Sequence, residues 1–101
     1  MIGREFKFHD GKKGAALAIR IIKDSVTDEI RKVLKDGTVV VHLTGDPEDP
    51  KRRLIKYLSS ELIIDESRFD IIEGKVGVDL LLSILDIEPY EIQNLILKKI
   101  S

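Results

Sequence analysis

Polar and apolar side chains alternate at the start of the chain. Glu5, Phe6, Lys7, Phe8 and His9 swap sides residue by residue, the period of a strand with one buried face. Asp10 and Gly11, followed by Lys12, Lys13 and Gly14, favour a turn. From 15 to 22 the chain is apolar on both sides: Leu17, Ile19 and Ile21 share one, and Ala16, Ala18, Arg20 and Ile22 share the other. Arg20 is the only charge in that run, which therefore suits an inner strand, joined to 5–9 as a hairpin with a loop of several residues.

The stretch 24–37 fits two patterns. Ser25 followed by Asp28 resembles a helix N-terminal box, Ile30, Val33 and Leu34 have helical spacing, and Gly37 would be the stop. The rival reading is a strand over 29–34, turned by Lys35, Asp36 and Gly37 into the next one. Local propensity leans towards the helix. Residues 38–43 form the clearest strand, because three consecutive valines are stiff at χ1 and suit a pleated surface. After the loop 44–49, Asp49 as cap and Pro50 in the first turn predict a helix. Leu54, Leu58 and Leu62 recur at four-residue spacing with Ile55 beside them, leaving Lys51, Arg52 and Lys56 to water. Residues 69–73 read as a short strand closed by Gly74. The run 78–87 is apolar on both sides, so periodicity alone does not separate helix from buried strand. Pro89 opens a last helix with Ile92, Leu95, Ile96 and Ile100 as its stripe, and with Lys98 and Lys99 in its final turn, where the helix dipole favours cations.

These elements predict an α+β fold, with 1–101 a single domain. A chain of 101 residues can bury roughly two-thirds of its unfolded surface, so it can fold without staples. Its 43% hydrophobic and 35% charged residues exclude a disordered chain. Seventeen basic residues against eighteen acidic ones remove the electrostatic footprint of a typical nucleic-acid or anionic-membrane binder. The absence of cysteine excludes disulfides, thiolate catalysis and zinc–thiolate sites. The N-terminus is charged from its fourth residue and has no apolar core of signal-peptide length. Stretches such as Leu80, Leu81 and Leu82 are far too short to span a bilayer. A cytoplasmic protein without membrane association is expected.

Candidate chemistry is sparse. His9 and His42 are the only histidines, and neither has the closely spaced partners that a base or metal ligand needs. His9 falls in a turn; His42 points to the sheet face opposite Val41 and Leu43. No glycine-rich phosphate loop or nucleophile elbow is present. Asp46, Glu48 and Asp49 make an acidic loop, but prolines stiffen it and it lacks calcium-loop spacing. These acids instead suit the N-terminus of the following helix. No catalytic constellation, metal or cofactor is expected. Lys51, Arg52, Arg53 and Lys56 form the one basic cluster, with Tyr57 nearby. The functional reading is contact with RNA or phosphate, with Tyr57 stacking; the ordinary one is a solvated helix face. Cations at a helix N-terminus work against its dipole, which lends the functional reading a little support against the preferred solvated face.

The order of short motifs resembles the YggU-like family of small uncharacterised proteins, over about residues 6–99. The matching segments are Phe8-His9-Asp10-Gly11, Leu17-Ala18-Ile19-Arg20, Asp28-Glu29-Ile30, Asp36-Gly37, Leu43-Thr44, Leu54-Ile55-Lys56-Tyr57-Leu58, Ile71-Ile72-Glu73-Gly74 and Ser83-Ile84-Leu85. The resemblance implies a two-layer arrangement: a mixed β-sheet with two α-helices packed on one face, extended at 29–34 and with a strand at 80–85. The family's Asp-Gly-Lys-Ala-Asn signature is degenerate here, reading Asp49-Pro50-Lys51-Arg52-Arg53. Basic positions that the family has after Gly74 are Val78 and Leu80, and its Pro-Arg after the second strand is Lys23-Asp24.

If both helices cover one sheet face, the other carries Ala16, Ala18, Ile22, Val40, His42, Ile72, and Leu81 or Leu80. A face that apolar implies association. The expected function is thus a non-catalytic interaction module, a homo-oligomer through its apolar sheet face or an edge strand. The alternative is an RNA- or phosphate-binding protein using Lys51, Arg52, Arg53 and Lys56.

Overall fold

The computed structural model describes residues 2–74 and 79–100; Val78, one end of the 78–87 run, lies outside them. Within the described residues six strands form one mixed sheet: β1 (Arg4–Lys7), β2 (Lys13–Ser25), β3 (Glu29–Val33), β4 (Val39–Thr44), β5 (Phe69–Gly74) and β6 (Asp79–Leu85). Two helices, α1 (Pro50–Leu62) and α2 (Pro89–Ile100), complete the α+β fold. The sheet order is β3-β4-β2-β6-β5, with β1 also on β2. Among the described residues, only the β2–β4 pair is parallel.

Of the segment 29–34, Glu29–Val33 resolves as strand, against its helical spacing. Ile30 lies opposite Val41 and is buried, so pairing with β4 satisfies the backbone and the apolar side chain together. Asp28 does not cap a helix; its carboxylate accepts hydrogen bonds from Thr44. Asp36 accepts from the Thr38 amide and Gly37 takes a positive φ, which turns the chain back into β4. The run 78–87 contains β6, whose register against β2 sets Leu80, Leu82 and Ile84 on one face and Leu81 on the other.

β2 is longer than its apolar run. Its first half pairs with β1 and its second half with β4, so these two strands share one edge of it end to end. β6 takes the other edge. Gly14 is required where β2 meets β6. A Cβ built there would lie 2.1 Å from the carbonyl oxygen of Ile84.

One face of the sheet makes the core. Leu17, Ile19 and Ile21 of β2, the alternate residues of β4 and β6, Leu54, Leu58 and Leu62 of α1, and Ile92 and Ile96 of α2 form one buried cluster. Burial of each such aliphatic side chain contributes about 1.5–3 kcal/mol. The α1 stripe buries as its four-residue spacing predicts. In α2 the stripe holds at Ile92 and Ile96, whereas Ile100 lies exposed in the final turn. Asp49 caps α1 by accepting from the Arg52 amide at 3.2 Å. No helix among the described residues is long and apolar enough to cross a membrane.

Candidate functional site

The basic residues at the start of α1 differ in exposure. Arg52 and Lys56, one helical turn apart, are exposed, whereas Lys51 and Arg53 are half-buried. The Arg53 guanidinium lies 2.6 Å from the Asp28 carboxylate and 3.1 Å from Thr44 Oγ1. The Thr44 amide and hydroxyl donate to the other oxygen of Asp28, at 2.8 and 3.1 Å. Burial pushes the Asp28 carboxyl up, but the Thr44 and Arg53 hydrogen bonds outweigh it and hold the group below its ordinary value. This latch ties α1 to the entry of β3 and the exit of β4. Tyr57 is half-buried against the core. Burial, helped by Glu61, pushes its hydroxyl up to about 12, and the backbone of Ile30 offsets this in part. Of the cluster, Arg52 and Lys56 are the pair that faces water.

The histidines lie apart. His9 is exposed in the β1–β2 turn. His42 is half-buried, its Nδ1 3.9 Å from the Glu29 carboxylate across the β3–β4 ladder. In the acidic loop, Asp46 pairs with Lys23 at 2.8 Å and Asp49 caps α1. No group of three or more His, Asp or Glu among the described residues could hold a metal ion. Glu5, Asp86, Glu88 and Glu91 surround a hollow of about 260 Å³ beside the start of α2, with Lys13 at its rim.

The helix-free face of the sheet is the most developed surface. Its floor carries Ala16, Ala18, Val40, Leu81 and Ser83, as the alternation predicts for all but the serine, which the apolar pattern did not mark. Ala16, Val40 and Ser83 are buried although no helix lies above them. Two sets of side chains stand on this face. Phe6 and Phe8 pack edge to face with centroids 5.0 Å apart, and Phe8 lies over the bare backbone of Gly14. Arg20 on β2 reaches Asp79 on β6 through a pair of hydrogen bonds, Nε to Oδ1 at 2.9 Å and Nη2 to Oδ2 at 3.5 Å. That bond with Asp79 raises the Arg20 guanidinium above its ordinary pKa.

Between these covers the face stays open. A hollow of about 290 Å³ lies over Ala16, Ala18 and Leu81, with Arg4 and Asp36 at its rim. A second, of about 430 Å³, lies between Phe6, Phe8 and His9 on one side and Asp70 and Ile72 on the other. Ile22 and Ile72 remain 41% and 37% exposed. The register also aligns a row that apolar patterning passes over. Arg4 stands opposite Ala16, Ala16 opposite Ser83, and Ser83 opposite Asp70. Strand parity could have placed Arg4 and Asp70 on this face, but only the pairing of β1 with β2 and of β5 with β6 puts them in one row. No known protein-family model matches the chain, and no curated protein matches it.

Proposed function

We propose that the chain is a cytoplasmic, non-catalytic interaction module of the YggU-like kind that associates with itself through the helix-free face of its sheet. The asymmetry of that sheet carries the reading. β2, β4 and β6 bear apolar side chains on both faces, yet both helices pack on one. On the other, thin covers leave two hollows and the exposed isoleucines at 22 and 72. Contiguous apolar surface bounded by polar groups supports protein association more than chemistry. The basic start of α1 gives less support to the RNA or phosphate reading, because Arg53 is held by Asp28 and Thr44.

Sedimentation equilibrium over a wide concentration range tests the proposal. The expected result is an average mass that rises from 11.4 kDa towards twice that value. A chain that stays monomeric to about 1 mM, the limit of weak specific association, overturns it.

A further inference from the structure

We infer that the second copy docks about a two-fold axis running along the strands between β2 and β6, so that Arg4 of each copy meets the partner's Asp70. The inference rests on the self-association proposed above and gives it a geometry.

The row Arg4, Ala16, Ser83, Asp70 crosses β1, β2, β6 and β5. Its ends are exposed and of opposite charge, and its middle is small. Three strand spacings separate the ends by about 14 Å, too far for them to pair within one chain. Neither side chain has an ion pair or hydrogen bond among the described residues. A two-fold axis along the strands, set between β2 and β6, exchanges β1 with β5 and β2 with β6. Arg4 then faces the partner's Asp70, Ala16 faces the partner's Ser83, and Ala18 faces the partner's Leu81. One row further along, Arg20 faces the partner's Asp79, so the second ion pair is matched by the same operation. An axis laid along the row instead would set arginine on arginine and aspartate on aspartate. Small residues at the centre let two sheets approach to the usual spacing of about 10 Å in an aligned sandwich. The patch from Gly14 to Arg20 across these strands covers on the order of 300 Å² per copy, against about 800 Å² for a standard interface. The dimer is therefore weak, and its exposed ion pairs make it salt-sensitive.

Two charge reversals, Arg4→Asp and Asp70→Arg, test the geometry by sedimentation, alone and mixed in equal amounts, with circular dichroism to check folding. Each variant alone sets like charge on like charge, and its association should weaken about tenfold or more. In the mixed dimer every introduced side chain meets its opposite, so association should return to the wild-type level. Two variants that associate as wild type does, or a mixture no better than its components, overturn the docking geometry while self-association stands. A monomeric wild type overturns both.

Discussion

The two faces of β2 exclude water by different means. On the covered face, Ala15, Leu17, Ile19 and Ile21 are at most 3% exposed because they belong to the buried cluster that both helices join. On the other face, Ala16 is nearly as inaccessible, but the residues along it open progressively to Ile22. The covers there are single side chains, Phe8 over Gly14 and the Arg20–Asp79 pair. Low accessibility therefore has two meanings in one strand. Hydrophobic stabilisation follows the apolar area removed from water, and alanines remove little. Stability resides on the covered face, which leaves the helix-free face available for a partner.

Leu82 and Leu81 give the sharpest contrast, being adjacent residues of β6 on opposite faces. Leu82→Ala should destabilise by about 3–4 kcal/mol, within the range for a fully buried leucine, and half-buried Leu81→Ala by about 1 kcal/mol. Urea denaturation midpoints decide this, and equal losses would break the comparison. Next in size is Gly14→Ala, which adds one methyl group on the helix-free side. With 2.1 Å to the Ile84 carbonyl oxygen, β2 and β6 must separate locally, at a cost of about 2 kcal/mol. Faster amide exchange along 82–85 would accompany the loss; unchanged stability would mean that the strands yield freely there.

Asp28→Asn probes the polar rim of the covered layer. Both latch side chains are partly exposed, so the expected loss is about 1–2 kcal/mol at neutral pH. Because folding lowers the Asp28 pKa, its contribution is full above the unfolded value of about 3.9 and disappears as pH falls through the folded value. The gap between wild type and variant should thus close on acidification, as urea melts at pH 7 and pH 3 would show. A gap independent of pH would mean that the carboxylate charge is irrelevant to the latch. The smallest effect is expected at Arg20→Ala. That ion pair is exposed on both sides, so its removal should shift the urea midpoint only slightly, a difference that high salt erases.

Patterns of period two and four revealed most of this architecture. The leucine spacing of α1 and the strand phases of β2 and β4 translate directly into buried faces, whereas β1 buries none of its residues and leaves Phe6 half-exposed. The phase of Leu81 followed from its being one residue from Leu80, once β6 was known to be a strand. What stayed hidden depends on residues far apart in the chain. Ser25 and Asp28 look like a helix start because nothing local reveals Thr44, the acceptor's true partner, or β4, which supplies the ladder for β3. Arg53 reads as a free cation until Asp28, 25 residues away, is placed beside it. The covers on the helix-free face were illegible for the same reason: Arg20 and Asp79 are 59 residues apart, and Phe8 finds Gly14 only when the hairpin closes.

The length of β2 has a kinetic consequence. Three strands are laid along it: a near neighbour in sequence, a parallel strand that must wait for β3 to turn back, and β6 from the far end of the chain. Contacts of such separation close slowly, because the loop entropy is lost before the pairing compensates for it. During synthesis β2 leaves the ribosome long before β6, and one edge of its apolar backbone has no native partner until β6 follows. The interval between those two events is when this protein is most open to mispairing, and a chaperone that shields extended apolar segments would act on it then.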